Sequence, residues 1–187
     1  MQWTALLLIA LLAALPVRAD DNLWTALRQG GHVLLMRHAV TDPGIGDPPQ
    51  FRLDDCRTQR NLSAEGKAQA ARAGRLFAER GVKISKVLSS RWCRSLDTAR
   101  LGFGQVTPEP ALDSFFGDSS AREAPQTMAT RTRIRNFRGP GNLMMVTHQV
   151  NITALTGEYP AMGEIFVVRA NPDGALQLVG RITPQNL

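Results

Sequence analysis

The chain has 187 residues, of which 43% are apolar and 20% charged, with a formal net charge of +6 at pH 7; this length suits one domain with a sizeable core. The basic residues are almost all arginine, and no Lys/Arg block with interleaved aromatic residues is present, which argues against nucleic acid as the partner. The positive charge instead fits an anionic small substrate or a genome that favours arginine codons.

Residues 1–19 have the pattern of a secretory signal peptide. An apolar run over residues 5–15 is too short to span a bilayer comfortably, and it is followed by Pro16 and the small-residue ending VRA. Because no Lys or Arg precedes the run, an uncleaved anchor or a first helix is the alternative. We expect cleavage after Ala19, a periplasmic or secreted protein, and a single mature domain over residues 20–187 without a membrane span.

A short helix and a buried strand are the first elements expected in the mature chain. The segment DNLWTALRQGG, residues 21–31, has one apolar stripe and ends in two glycines. The run HVLLMRH, residues 32–38, is typical of a strand covered on both faces in a parallel sheet. Residues 41–60 contain prolines and glycines without a period, which predicts a long loop of the kind that often carries function.

A helix with a small-residue face is predicted after this loop. Ser63 is suited to be its N-cap, and Gly81 is suited to follow its C-terminus. The residues that recur at helical spacing on its predicted buried face are Ala70, Ala73, Gly74, Phe77 and Ala78. Such small residues imply a close approach of this helix to its support.

The rest of the chain alternates strands and helices. KVLSS predicts a strand that leads into a helix starting in RWCRSLDTARLGFG. A helix over about residues 122–137, the strand NLMMVTH, a short helix near residues 152–155 and a final hairpin follow. This alternation predicts an α/β fold, a three-layer α/β/α sandwich with a mostly parallel central sheet.

The two cysteines, Cys56 and Cys93, favour a disulfide, because their number is even and the chain is expected to be exported. A metal site is the weaker interpretation, since CxxC and HxH spacings are absent and the histidines are His32, His38 and His148. We therefore expect no metal and no cofactor.

Three predicted strands end in polar groups: Arg37-His38, the segment that delivers Arg94, and His148. In an open parallel sheet, ligands collect beyond the carboxyl ends of the strands. Two guanidinium forks can neutralise a phosphoryl dianion, and a neutral imidazole can attack phosphorus to give a phosphohistidine. A second histidine can donate to the transferring oxygens. The sequence therefore predicts a phosphate site at these strand ends.

The same residues resemble the histidine phosphatase superfamily, also called phosphoglycerate-mutase-like. LLMRHA is similar to the strand of this family that ends in Arg-His-Gly, with Ala39 in the third place. NLSAEGKAQA, LSSRWCRSLDTA and MVTHQ resemble its helix opening, its Ser-Ser-x-x-x-Arg-x-x-x-Thr-Ala segment and its late strand ending in His. The order and approximate spacing agree along nearly all of the mature chain.

The resemblance implies His38 as the phosphorylated nucleophile, Arg37 and Arg94 as phosphate ligands and His148 as the fourth member of the pocket. It leaves the proton donor open. DSFFG places Asp113 four residues before a glycine, where many family members carry Glu, and Asp118 or Glu164 could serve instead. The donor should have a raised pKa from partial burial.

Neighbouring loop residues have two interpretations each. A disulfide between Cys56 and Cys93 would tie the loop over residues 41–60 to the pocket and hold Arg94. Gln59, Arg60 and Asn61, at the end of the same loop, either reach the substrate or serve the entry to the next helix.

We expect an exported phosphomonoesterase that acts on a phosphorylated small molecule or envelope substrate through His38. The short loop around residues 104–121 leaves the pocket comparatively open. The alternatives are a non-catalytic phosphate-binding envelope protein and a phosphohistidine or phosphoprotein phosphatase.

Overall fold

A six-stranded sheet lies at the centre of the protein, in a computed structural model that describes residues 19–117, 119–171 and 174–183. The strands are β1 (Val33–Arg37), β2 (Ile84–Ser89), β3 (Thr107–Pro108), β4 (Asn142–Thr147), β5 (Ile165–Ala170) and β6 (Leu176–Ile182). Their order is β3-β2-β4-β1-β5-β6, and β1 to β4 run parallel while β5 runs antiparallel to both of its neighbours. The predicted signal peptide, apart from Ala19, lies outside the described residues.

Helices cover both faces of this sheet. They are α1 (Ala19–Gln29), α2 (Ala64–Glu79), α3 (Cys93–Phe103), α4 (Ser119–Asn136) and α5 (Gln149–Thr156). One core cluster joins the sheet to α1, α2 and α3, and a second joins it to α4 and α5. The three-layer α/β/α sandwich with a mostly parallel sheet is thereby confirmed.

Strand β1 shows why the apolar runs form the middle layer. Successive side chains of a strand point to opposite faces of the sheet. Leu34 and Met36 accordingly pack in the cluster with α1 to α3, whereas Val33 and Leu35 pack in the cluster with α4 and α5. All four are buried, so each residue of the run has a core to enter and no polar alternation is needed.

Helix α2 approaches α3 closely through glycine, as its small residues predict. A Cβ atom on Gly74 would lie 1.9 Å from the carbonyl oxygen of Gly102 in α3, so a larger residue cannot occupy the position. Ser63 caps the helix by accepting from the Gly66 N–H at 3.0 Å. The buried face ends at Phe77, and the prediction was wrong for Ala78, which is exposed.

None of the helices in the described ranges combines the length and the apolar character needed to cross a membrane.

Candidate active site

The carboxyl ends of β1, β2 and β4 lie side by side, because β4 pairs with β2 on one side and with β1 on the other. The N–H of His38 donates to the Thr147 carbonyl at 2.9 Å, and the N–H of Ser90 donates to the Val146 carbonyl at 2.9 Å. The ring centroids of His38 and His148 are 5.4 Å apart. The polar strand ends singled out in the sequence therefore meet in one place.

A cavity of about 820 Å³ opens above these strand ends. Four of the residues predicted for the site line it, and we call them the floor: Arg37, His38, Arg94 and His148. Two further arginines, Arg60 and Arg122, also line the cavity. Among the described lining residues Asp47 alone is acidic, so the cavity has an excess of positive charge suited to an anion.

The hydrogen bond of His38 decides which of its ring nitrogens is free. His38 is 3% exposed, and its Nδ1 lies 2.9 Å from the carbonyl oxygen of Ala39. A carbonyl oxygen can only accept, so Nδ1 carries the hydrogen of the neutral ring and Nε2 keeps its lone pair. No residue in the described ranges makes a hydrogen bond to Nε2, which leaves this nitrogen available as a nucleophile.

Both histidines of the floor are held neutral. Burial lowers the pKa of His38 to about 3, and the positive charges of Arg94 and Arg37 act in the same direction. Burial is also the largest cause that lowers the pKa of His148 well below its usual value, with Arg94 and His38 adding to it. At neutral pH the pair therefore presents two uncharged imidazoles next to charged guanidinium groups.

The ring of His148 is fixed from two sides. Its Nε2 lies 2.8 Å from Ser90 Oγ and 3.5 Å from Ser95 Oγ, and Ser90 Oγ is in turn 3.3 Å from Asp113 Oδ1. The indole of Trp92 packs edge-on at a centroid distance of 5.4 Å. Because a hydroxyl both donates and accepts, Ser90 can hold this imidazole in either tautomer.

Arg94 is oriented by a carboxylate that the sequence analysis did not single out. Asp47 accepts from Arg94 Nη1 at 2.7 Å and Nη2 at 3.0 Å, and it also accepts from Trp92 Nε1 and from the Arg60 N–H. Burial by itself raises the pKa of Asp47, but the hydrogen bonds and charge of Arg94 outweigh it and hold the pKa below its usual value. The carboxylate thus occupies the Nη edge of the guanidinium and leaves the Nε edge without a partner in the described part of the chain.

Three guanidinium groups along the cavity have an unused donor. The Nε atoms of Arg37, Arg60 and Arg94 are buried and have no hydrogen-bond partner within the described part of the chain. Other donors of Arg37 and Arg60 are engaged by the carbonyl oxygens of Pro160 and Gly44. A buried donor without a partner is costly, so these three arginines are held at an energetic cost that the fold offsets elsewhere.

The predicted disulfide between Cys56 and Cys93 is present, with a Cα–Cα distance of 5.7 Å. Cys93 begins α3 directly before Arg94, and its N–H donates to Gln59 Oε1 at 2.9 Å. The loop over residues 41–60 is therefore anchored covalently, and by Asp47, to the helix that carries Arg94.

Asp113, the first candidate for the proton donor, is engaged elsewhere. It is 3% exposed and accepts from Arg91 Nε at 2.7 Å and from the Arg91 N–H at 2.8 Å. Its side chain does not belong to the cavity lining. These contacts link the start of α3 to Ser90 and His148, and the role of Asp113 as donor stays a prediction.

The other two donor candidates differ in position. Glu164 is 4% exposed and ion-paired with Arg181 at 2.8 Å, away from the cavity lining. Asp118 lies outside the described residues, but it directly follows Gly117, which lines the cavity.

Two important site residues were missed in the sequence, namely Asp47 and Trp92. Their only signal was position, since Asp47 lies in the aperiodic loop and Trp92 directly before the cysteine of α3. Over the described ranges, His, Cys, Asp and Glu side chains form no group of three or more that could hold a metal ion.

Residues 33–118 match the family model of the histidine phosphatase superfamily (branch 1). This stretch includes Arg37, His38 and Arg94 of the floor, whereas His148 lies beyond it. Among curated proteins, none matches the chain by sequence.

Solved structures share the fold at low sequence identity. The protein histidine phosphatase SixA complexed with tungstate is 17% identical over 83% of this chain and 98% of its own, with a TM-score of 0.56. The alpha-ribazole phosphatase from Shigella flexneri is 19% identical over 79% and 94%, with a TM-score of 0.58. YhfR from Bacillus stearothermophilus is 13% identical over 79% and 94%, with a TM-score of 0.60. These likenesses agree with the fold derived above.

Proposed function

We propose that this chain, whose residues 33–118 match the model of the histidine phosphatase superfamily, hydrolyses phosphate monoesters through a phosphohistidine on His38. The observation that carries the proposal is the buried, neutral imidazole with its Nε2 unengaged, in a cavity lined by guanidinium groups that lack a partner for Nε. Solved neighbours named as phosphatases support the same class of reaction.

Substrate binding uses the cationic part of the cavity. The guanidinium groups of Arg37, Arg60 and Arg94, which line the cavity, donate to the nonbridging oxygens of the phosphoryl group. Asp47 keeps the Nη edge of Arg94 occupied, so the guanidinium presents its remaining edge in one orientation. This orientation limits the entropy lost when the anion binds.

In the first step, the lone pair on His38 Nε2 forms a bond to phosphorus while the bond between phosphorus and the ester oxygen breaks. The ring then carries positive charge, which the hydrogen bond from Nδ1 to the Ala39 carbonyl stabilises. The electron pair of the broken bond stays on the departing oxygen, which takes up a proton. His148, 5.4 Å from His38 between ring centroids, lies where it can contact the transferring oxygens.

The departing oxygen needs an acid when the alcohol is a poor leaving group. Asp113 and Glu164 are ion-paired with Arg91 and Arg181, so their carboxyl groups are committed to other contacts. We assign the proton transfer to Asp118, because it follows a residue of the cavity lining. In the second step a water attacks phosphorus, gives a proton to the same carboxylate and releases phosphate and neutral His38.

The test is to trap the phosphoenzyme. Purified mature protein is incubated with p-nitrophenyl phosphate, release of p-nitrophenol is followed over time, and acid-labile, base-stable phosphate on the protein is measured after rapid quenching. His38→Ala is expected to lose both signals, with activity down by more than about 10⁴-fold. His32→Ala, which changes the remaining histidine outside the cavity lining, is the matched control and should keep them. Hydrolysis that survives His38→Ala would exclude this mechanism.

A non-catalytic phosphate-binding protein is the second candidate. It is favoured by the ion-paired states of Asp113 and Glu164 and by the occupied Nη edge of Arg94. In that case phosphate would bind, by calorimetry, to wild type and less well to Arg94→Ala, but no ester would be hydrolysed. A phosphohistidine or phosphoprotein phosphatase would use the same floor, and the likeness to SixA is its support.

We also propose that the protein is exported and acts in the periplasm or outside the cell. The apolar leader with its small-residue ending supports this, and so does the Cys56–Cys93 disulfide, since such bonds persist in oxidising compartments. Fusing residues 1–25 to a reporter that folds only after export tests the proposal. A reporter that stays inside the cell and inactive, or a purified protein whose N-terminus is Met1, would count against it.

A further inference from the structure

The cavity is far larger than its phosphate site requires. A phosphate group has only five heavy atoms, whereas a cavity of about 820 Å³ is of the size that accommodates a drug-sized ligand. Most of the space must therefore receive the leaving group of the ester. The side chains around this part of the cavity indicate whether the leaving group is polar or apolar.

Large apolar side chains collect at the opening of the cavity. Ile45 is 91% exposed, Phe116 is 61% exposed and Phe51 is 36% exposed, and all three line the cavity. We call these three residues the mouth. A cluster of this kind around a cavity indicates a binding surface, whereas single exposed apolar residues elsewhere need no explanation.

An aromatic wall connects the mouth to the reacting histidines. The ring of Trp92 lies 5.4 Å from the ring of His148 on the floor and 5.5 Å from the ring of Phe51 at the mouth. The loop over residues 41–60 also approaches the segment over residues 113–117. A Cβ atom on Gly46 would lie 3.5 Å from the ring of Phe116, so the two loops meet at a residue without a side chain. One side of the path from the floor to the surface is thus aromatic.

The cavity lining is poor in uncharged hydrogen-bonding side chains. Outside the arginines, histidines and Asp47, the polar side chains among the described lining residues are Ser114 and Gln149. A site for a sugar or another polyol needs several hydrogen-bonding groups to replace the water that the hydroxyls lose. This mouth offers few such groups, but it offers apolar area that an aliphatic or aromatic leaving group can cover.

We propose that the preferred substrates are phosphate monoesters of apolar alcohols, whose aliphatic or aromatic portion lies along the mouth while the phosphate binds at the floor. This inference rests on the proposed function for the turnover of the ester, but not for the preference in binding. Each methylene group buried at the mouth should improve affinity by a factor of about 4.

The test uses the series from ethyl to octyl phosphate, below the concentration at which the longer esters aggregate, because the leaving groups have nearly the same reactivity. We expect kcat/KM to rise at least about 30-fold from ethyl to octyl phosphate and glycerol 3-phosphate to remain near the ethyl value. Ile45→Ser and Phe116→Ser should each reduce the octyl-to-ethyl ratio at least about threefold. Leu101→Ser and Tyr159→Ser, exposed apolar residues outside the cavity lining, should leave that ratio unchanged.

A parallel binding measurement separates this inference from the proposed function. The dissociation constants of ethylphosphonate and octylphosphonate, which lack the scissile bond, are compared by calorimetry. If no ester is hydrolysed but octylphosphonate binds much more tightly, the enzymatic proposal fails and the apolar preference stands. If esters are hydrolysed but neither kcat/KM nor affinity changes with chain length, or glycerol 3-phosphate is preferred, the apolar preference is overturned.

Discussion

The floor and the mouth of the same cavity are built in opposite ways. Floor residues stand at the ends of buried strands or at the start of α3, and His38, Arg94 and His148 are each only 3% exposed. Mouth residues stand on the loops over residues 41–60 and 113–117, and they are largely exposed. The anion-binding groups are thus on the rigid part of the fold, where a position within a fraction of an ångström can be kept.

The difference indicates that the floor and the mouth have separate roles. Loops tolerate substitution better than strand ends, so a mouth on loops can change the leaving group that is accepted while the floor keeps the reaction. Substitutions at the floor should therefore affect all esters alike, and substitutions at the mouth should affect only some.

Beyond the loss already expected for His38→Ala, the largest effect should come from Arg94→Ala, compared with Arg122→Ala. Removing the buried fork of Arg94 should lower kcat/KM by about 10³-fold for every ester, because the phosphoryl oxygens lose a charge-assisted donor in the transition state. Arg122 lines the cavity but is exposed, and its removal should cost less than about tenfold because exposed charges are screened by solvent. Steady-state kinetics with ethyl and octyl phosphate, after a check of folding by circular dichroism, decide the point. Similar losses in the two variants would refute the contrast between floor and periphery.

The disulfide is the covalent link between the two regions. Cys56 and Cys93 are 37 residues apart, and in the chain-entropy model a loop of this length stabilises the fold by about 3–4 kcal/mol. The double variant Cys56→Ser/Cys93→Ser should lose free energy of unfolding of this order in urea titrations. Dithiothreitol should have the same effect on wild type and none on the variant. Equal stability with and without reductant in wild type would show that the bond is not stabilising.

Substitution of Asp118 tests whether this residue is the proton donor. Asp118→Asn should lower kcat for ethyl phosphate by about 100-fold, since the alkoxide then leaves without its proton donor. It should change the rate with p-nitrophenyl phosphate little, because that leaving group departs without help. Asp113→Asn is the competing variant, and the same leaving-group dependence there would reassign the donor to Asp113.

The free energy of unfolding should decrease as the pH falls, because the two buried histidines of the floor stay unprotonated in the folded chain. The folded pKa of His38 is about 3 against about 6.5 in the unfolded chain, so the unfolded state takes up the proton first as pH falls. Protonation of His38 therefore costs no stability well above pH 6.5. Below that pH the free energy of unfolding decreases progressively, down to about pH 3. From pH 7.5 to 5.5 the loss is about 1.4 kcal/mol for His38, and a loss in the same direction comes from His148. Urea midpoints across this range measure it, and His38→Asn should reduce the slope. A slope unchanged in that variant would contradict the assignment.

A smaller effect than that of Arg94→Ala is expected at Asp47. Asp47→Asn keeps the size of the side chain but removes the charge that orients Arg94, and it should weaken inorganic phosphate binding by about tenfold, measured by calorimetry. Asp54→Asn, an exposed carboxylate on the same loop, is the control and should have no effect. Tighter phosphate binding in Asp47→Asn would mean that the carboxylate competes with the anion for Arg94 and does not position it.

Much of this molecule could be deduced from local pattern. Continuous apolar runs of strand length, such as residues 33–36, require cover on both faces, and the alternation with helices then fixes the three layers. Once the sheet is parallel, the residues after its strands must meet at one edge, which is why Arg37, His38 and His148 could be placed together before any coordinates. The pairing of Cys56 with Cys93 followed because they are the two cysteines of the chain.

The tertiary structure alone decided which side chains form ion pairs with one another and whether the buried histidines are charged. Asp47 and Arg94 are separated by 47 residues, and Asp47 lies in a loop without periodicity, so no local pattern reports their ion pair. Asp113 and Glu164 look like candidate acids in the sequence, yet the ion pairs with Arg91 and Arg181 are visible only in the folded chain. The low pKa of His38 depends on burial and on charges brought from distant segments. A sequence carries the spacing of side chains along a strand or helix, but the electric field at a site is the sum of groups that only folding assembles.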